Sequence, residues 1–189
     1  MTPERERRYR DVIRQRQNNL AIVLENIWDP HNVSAILRTA DSVGILDVYL
    51  VYNNQEFPKL GKKSSAGSKK WMDLHPFTTV EDCYAVLREK GFKIFATHLG
   101  EDSHSLYDLN LSEKVALVFG NEHSGVSKPA YSQADGNFLI PQTGFVKSLN
   151  VSVAAAVTLY EAFRQRRENL EVMTPHQQQQ LFERWQDLS

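Results

Sequence analysis

The stretch Ile140-Pro141-Gln142-Thr143-Gly144-Phe145-Val146-Lys147-Ser148-Leu149-Asn150-Val151-Ser152-Val153-Ala154-Ala155-Ala156 decides how the chain is read. It leaves an apparent strand, passes through a Pro/Gly turn and enters a helix of small, apolar residues. A core helix ordinarily carries Leu and Ile at i, i+3 and i+4, whereas Ser152 and Ala154 to Ala156 let other backbone come close. The composition predicts a tightly packed helix rather than a surface one. Ser148 and Asn150 enter this run as uncharged polar groups. Either can cap the helix by accepting a backbone N–H, but one cap suffices, so the second calls for another partner, such as a ligand.

Outward from this stretch, apolar runs alternate with helical patterns. Ala21 to Glu25, Val48 to Tyr52, Phe92 to Thr97 and Val115 to Phe119 are short and almost wholly apolar, the habit of strands buried on both faces of a parallel sheet. Trp71 to Phe77 and Asn137 to Ile140 are further strand candidates. Helical spacing runs from Val33 to Val43, ended by Gly44, and from Thr79 to Lys90, ended by Gly91. A polar, arginine-rich helix is expected over Pro3 to Gln17, and Thr174-Pro175 opens a last, Gln-rich one. Asn53 to Lys70 is a long connection, and long connections usually serve function or move. The pattern predicts an α/β fold with a mainly parallel sheet flanked by helices, in which ligands collect at the carboxyl ends of strands. Three polar clusters fall at such ends: Thr97-His98, Gly120 to Gly125, and Ile140 to Asn150. The expected organisation is a basic N-terminal helix over 1–18, the α/β domain over 19–168 and a helical extension over 169–189.

The chain has 189 residues, with 22 Lys and Arg against 23 Asp and Glu, so bulk charge does not suit it to coating nucleic acid. The basic residues are grouped, however. Lys59, Lys62, Lys63, Lys69 and Lys70 form one cluster, Arg5, Arg7, Arg8, Arg10, Arg14 and Arg16 a second, and Arg164, Arg166 and Arg167 a third. Such patches suit selective phosphate contacts as well as they suit a solvated surface. The single Cys83 fits packing in an amphipathic helix and a reducing compartment. No run reaches the roughly 18 apolar residues of a membrane span, and a cytoplasmic protein is expected.

Several chemistries are disfavoured. There is no G-x-G-x-x-G, Gly61-Lys62-Lys63-Ser64 lacks the earlier glycine and the strand of a phosphate-binding loop, and no G-x-S-x-G elbow is present. His and Cys spacing does not suggest a metal site. What remains is patterned differently: Asn32 with Arg38, Gly120-Asn121-Glu122, and Ser148-Leu149-Asn150.

Through His31-Asn32-Val33-Ser34-Ala35-Ile36-Leu37-Arg38-Thr39-Ala40, Phe119-Gly120-Asn121-Glu122 with Gly125, and Ile140-Pro141 followed by Ser148 to Ala154, the chain resembles the SpoU/TrmH group of RNA ribose 2′-O-methyltransferases in the SPOUT superfamily. The likeness runs from Leu24 to Glu161. Ala66-Gly67-Ser68 with Trp71, and Ala96-Thr97-His98-Leu99, resemble the branch acting on guanosine-18 of tRNA. The resemblance implies an α/β knot with a C-terminal trefoil, S-adenosylmethionine as methyl donor, no metal, and a homodimer with composite active sites. It implies catalytic roles for Arg38, Asn32, Glu122, Ser148 and Asn150, and cofactor contacts at Thr97, Gly120, Ile140 and Leu149. Arg7, Arg8, Lys62, Lys63 and Lys69 are the RNA-binding candidates. A guanidinium keeps its proton in proteins, so the role expected of Arg38 is to clamp a phosphate and stabilise developing charge rather than act as base.

Each residue also has an ordinary explanation: Asn32 as a cap, Arg38 as a surface charge, Glu122 as a turn residue. Their occurrence together and in family order favours the catalytic reading. Gln142 departs from the apolar residue relatives often carry after Ile-Pro, and the C-terminal extension is short. The alternatives are a ribosomal RNA 2′-O-methyltransferase, a knotted RNA-binding dimer without catalysis, and an unrelated nucleotide-binding α/β module.

Overall fold

The structure, a computed structural model, describes residues 1–60, 67–168, 171 and 173–188. Lys62 and Lys63 of the expected RNA-binding set lie outside the described residues. Seven strands form one sheet in the order β3-β2-β1-β6-β4-β7-β5, and every neighbouring pair is parallel. They are β1 (Leu20–Glu25), β2 (Asp47–Val51), β3 (Asp73–Phe77), β4 (Lys93–Thr97), β5 (His104–Ser105), β6 (Val115–Phe119) and β7 (Gly136–Leu139). The helices are α1 (Pro3–Ile13), α2 (Pro30–Ser42), α3 (Val80–Glu89), α4 (Lys128–Gln133), α5 (Val151–Arg166) and α6 (Pro175–Asp187).

Strand alternation explains why the central runs are wholly apolar. Leu20, Ile22 and Leu24 of β1 join Val115, Leu117 and Phe119 of β6 in a core completed by Ile36 and Leu37 of α2 and Leu159 of α5. Ala21 and Val23 face the other way, with Ala116 and Val118, against Cys83, Tyr84 and Leu87 of α3 and Ala130 of α4. Both faces are covered, so neither set can be polar. Cys83 is buried packing, and burial together with the charge of Glu25 pushes its thiol up to about 12.

A third cluster joins the two ends of the chain. Tyr9 and Ile13 of α1 pack with Leu181, Phe182 and Trp185 of α6, and Trp71 sits edge-on to Trp185 at 5.1 Å. The expected cap of the last helix is present: Thr174, just before Pro175, and Gln177 in the first turn form a reciprocal capping box. Gly44 has φ +85°, and a Cβ there would lie 2.3 Å from the Gln15 carbonyl oxygen, so the close approach of the chain after α1 to the turn after α2 requires glycine.

Three expectations change. Arg166 is buried, so it is not part of a basic surface patch: its guanidinium donates to the carbonyls of Leu111 (2.7 Å), Asn19 (3.1 Å) and Glu113 and to Asn19 Oδ1 (2.5 Å). Arg16 is likewise buried, paired with Asp41 and bonded to the Ile45 carbonyl at 2.9 Å. Second, the first part of the Asn53 to Lys70 connection is fastened down, with Phe57 and Leu60 against the core and Gln55 donating to the Asn26 carbonyl at 3.1 Å. Third, α5 is covered on one side only. Ala155, Leu159 and Ala162 are buried, while Val153 and Tyr160 are 47% and 52% exposed. Small residues secure close packing on the inner face, and among the described residues the outer face keeps Val153 and Tyr160 exposed. The sequence reading also overlooked β5, of two residues, and α4, of six, which are too short to show a period.

Candidate active site

The carboxyl ends of β4, β6 and β7 and the first turn of α5 enclose a cavity of about 650 Å³. That volume suits a small organic ligand. Thr97, Gly120, Ile140 and Leu149, the four expected cofactor contacts, all line it. The Thr97 hydroxyl is already committed, donating to the Val118 carbonyl at 3.0 Å and tying β4 to β6. Gly120 is fixed by the fold: a Cβ there would lie 2.3 Å from backbone atoms of Gly125 and Val126, because the turn after β6 folds back on itself. These positions therefore offer a ligand backbone groups and apolar surface.

Of the expected catalytic residues, Glu122, Ser148 and Asn150 line the cavity. Asn32 lies behind them, 9% exposed near the start of α2, and joins two of them. Its Nδ2 donates to Glu122 Oε1 at 3.0 Å, and its Oδ1 accepts from Asn150 Nδ2 at 3.1 Å. Asn150 is also the N-cap of α5, accepting from the backbone N–H of Ser152 at 2.8 Å. Capping and site-building thus use different atoms of one amide. Glu122 accepts further bonds from the backbone N–H groups of Trp28 (3.0 Å) and Asp29 (3.1 Å). Partial burial works against its ionisation, yet the bonds from Asn32, Trp28 and Asp29 outweigh it and hold the carboxyl below the ordinary range. Glu122 is therefore a fixed anion that orients the Asn32 amide and, through it, Asn150. Arg38 is exposed on α2 and is not among the residues lining the cavity of its own chain.

Two further supports hold the site, of which Asn26 was not singled out from sequence and Asn121 was known only as part of its motif. Asn26, with φ +49°, bonds through both atoms of its amide to Asn53, and its carbonyl accepts from Asn121 Nδ2 at 2.8 Å. Asn121 Oδ1 in turn accepts from the backbone N–H groups of His123 (2.9 Å) and Ser124 (3.2 Å), which shapes the turn carrying Glu122. Asn-rich strand ends are a weak signal of such turns. His98 and Tyr131, stacked at 4.1 Å, form another part of the wall. Gln142 Oε1 is buried at the cavity without a hydrogen-bond partner among the described residues, and an unmet acceptor there suits a ligand amino group. The residues present thus fit a nucleoside-like cofactor with an amino group.

Of the RNA-binding candidates, Arg7 and Arg8 are exposed on α1 and Lys69 is exposed beside Phe57, 5.7 Å from its ring. Among the described residues no cluster of three or more His, Cys, Asp or Glu is placed to hold a metal, and no helix is long and apolar enough to cross a membrane.

A parallel sheet with its cavity at the carboxyl ends of the strands, walled by backbone turns and one polar node, defines an α/β protein built to hold a small ligand beside fixed polar groups. The model of the SpoU rRNA methylase family matches residues 19–160, and the chain belongs to that family. It is 44% identical over 165 residues to a tRNA (guanosine(18)-2′-O)-methyltransferase of Thermus thermophilus, covering 87% of this chain and 84% of the relative. The crystal structure of the Aquifex aeolicus TrmH/SpoU tRNA modifying enzyme superposes with a TM-score of 0.90 at 33% identity, covering 96% of this chain and 94% of that one. An AdoMet-bound rRNA methyltransferase from Sinorhizobium meliloti matches with a TM-score of 0.71 at 29% identity, over 86% of this chain and 61% of that one.

Proposed function

We propose that the protein transfers a methyl group from S-adenosylmethionine to a ribose 2′-hydroxyl of tRNA, at guanosine-18, acting in the cytoplasm as a knotted homodimer with composite active sites. The observation that carries the reading is the Glu122–Asn32–Asn150 node beside a cavity lined by all four expected cofactor positions. The high coverage of a tRNA-modifying relative favours tRNA. The trefoil knot accords with the small-residue start of α5, since a threaded chain needs close backbone approach. The exposed Val153 and Tyr160 on α5 accord with a second copy covering that face.

When bound, S-adenosylmethionine supplies a sulfonium methyl that needs no activation. The ribose hydroxyl does, because it is a poor nucleophile until its proton is leaving. Gly120, Ile140 and Leu149 would hold the cofactor, and Gln142 Oε1 would offer an acceptor for an amino group. Glu122, Asn32 and Asn150 form a rigid polar wall against which the ribose is oriented, and Ser148 adds a hydroxyl. Arg38, brought to the cavity by dimerisation, clamps a neighbouring phosphate and stabilises negative charge on the attacking oxygen. Its planar fork matters in this role, so Arg38→Lys is expected to lose most turnover; near-normal rates would remove the clamp from the mechanism.

The test is methyl transfer from labelled S-adenosylmethionine to unmodified tRNA transcripts, with Arg38→Ala as control and the product mapped by nuclease digestion. Label on the ribose of guanosine-18, lost in the variant, is expected. Label only on ribosomal RNA would replace the substrate. Cofactor binding without transfer to either RNA would leave an RNA-binding dimer, and no cofactor binding would discard the reading altogether.

A further inference from the structure

The chain has three tryptophans. Trp71 and Trp185 pack edge-to-face with Tyr9 in the layer between α1 and α6, whereas the third, Trp28, is 65% exposed. Among the described residues no ring or cation contact involves its indole. A single exposed apolar side chain is ordinary on a protein surface, so what sets Trp28 apart is its place, on a rigid backbone tied to the cavity wall.

Here the backbone is held on both sides. Ile27 is fully buried and its carbonyl accepts from the Tyr52 hydroxyl at 3.0 Å. The Trp28 N–H donates to Glu122 Oε2 at 3.0 Å and the Asp29 N–H to Glu122 Oε1 at 3.1 Å. Asp29 then caps α2 with Pro30 following. The segment therefore loses little freedom on presenting Trp28 to a ligand, and its backbone is one hydrogen bond from a carboxylate that lines the cavity.

We infer that Trp28 is a stacking residue for RNA, its indole receiving the base joined to the ribose that is methylated. This rests on the ribose-methylation reading of the cavity. A ribose held against the Glu122–Asn32–Asn150 wall carries its base one glycosidic bond away, and a base splayed from an RNA loop has a π-face that must be covered. An indole covers it without reading its identity, so Trp28 supplies affinity and placement, and base discrimination falls to other groups.

The experiment uses the full chain as wild type, Trp28→Phe and Trp28→Ala, with S-adenosylmethionine and an unmodified tRNA transcript. Base–aromatic stacking is worth about 1–3 kcal/mol, so Trp28→Ala is expected to raise KM for tRNA by about 5- to 150-fold. Cofactor affinity by calorimetry and mass by sedimentation should not change. Trp28→Phe, which keeps a ring, should recover most of the loss. RNA should also quench tryptophan emission more in the wild type than in Trp28→Phe, because Trp185 is buried and Trp71 is partly covered against it. Unchanged KM in Trp28→Ala, or quenching equal in wild type and Trp28→Phe, would overturn the assignment. A fall in mass in Trp28→Ala would also overturn it by placing the indole in a subunit contact. If the wild type methylates no RNA, the functional reading fails by itself, and the quenching arm, which needs only RNA binding, still decides the role of Trp28.

Discussion

The two ends of the parallel sheet each carry a polar network, and they are built to opposite specifications. At the amino ends of β1 and β6, Arg166 is 2% exposed and spends its guanidinium on the carbonyls of Leu111, Asn19 and Glu113 and on the side chains of Gln17 and Asn19. At the carboxyl ends, Glu122, Asn32 and Asn150 are joined to one another and to backbone N–H groups, while Glu122 and Asn150 still face a cavity. The first network closes a gap in the fold, and the second holds groups in place with bonding capacity left over. Polarity and charge are common to both. Access and spare hydrogen-bonding capacity separate a structural network from a working one.

Breaking the closed network should cost the most stability. Arg166→Met removes the donor that satisfies several buried acceptors, and leaving a buried acceptor unsatisfied typically costs about 1–3 kcal/mol for each group. Burial pulls the pKa of the Arg166 guanidinium down to about 10, with the charge of Glu171 acting in the opposite direction. The check is the urea midpoint at unchanged slope. At temperatures where the variant remains folded, its affinity for S-adenosylmethionine should equal that of the wild type, since Arg166 lies at the opposite end of the strands. A loss of cofactor affinity as large as the loss of stability would mean the two ends are not independent.

The open network should answer the other way, with a large effect on rate and a smaller one on stability. Asn32→Ala uncouples Glu122 from Asn150, and displacement of a positioned group by about 1 Å can cost on the order of 10²-fold in turnover. The stability cost expected is nearer 1–3 kcal/mol, that of hydrogen bonds to a charged group. Glu122→Gln sharpens this by pH. The folded carboxyl lies below its unfolded value, so its contribution is fully present above the unfolded pKa of about 4.3 and is lost as pH falls through the lower folded value. The stability difference between wild type and Glu122→Gln should therefore be constant near neutrality and shrink in acid. A difference that grows as pH falls would have the sign of a carboxyl held in its neutral form.

How far each region could be read from sequence follows the same division. The strands β1, β2, β4 and β6 show as apolar runs because both faces of the sheet are covered, a constraint that every residue in the run obeys. Asn32, Glu122 and Asn150 were legible only together, through family order, since each is also an adequate cap or turn residue and Asn150 in fact both caps α5 and lines the cavity. Arg166 was misread as surface charge because a buried arginine and an exposed one look alike until the carbonyls around it are known, and those come from residues more than fifty positions away. The exposed side of α5 was missed for a related reason. Ala154 and Ala155 announce close packing, but composition does not say whether the partner is the same chain.

The smallest effects belong to the exposed cations, and they separate positioning from mere charge. Arg7 and Arg8 project from α1 and no ion pair involves them among the described residues, whereas Arg10 on the same helix and Arg14 just after it are partly neutralised by Glu6 and Asp11. If α1 lies along the phosphate backbone of tRNA, Arg7→Gln and Arg8→Gln should each weaken binding a few-fold and reduce the slope of log affinity against log salt by about one. Arg10→Gln should change the slope less, because its charge already has a carboxylate partner and its guanidinium rests 4.0 Å from the Phe182 ring. Turnover at saturating RNA should be unaffected in all three, in contrast to Asn32→Ala. Equal slopes for the wild type and the Arg7 and Arg8 variants would put the RNA on another face and leave α1 with the task its inner residues already perform, holding α6 against the body of the protein.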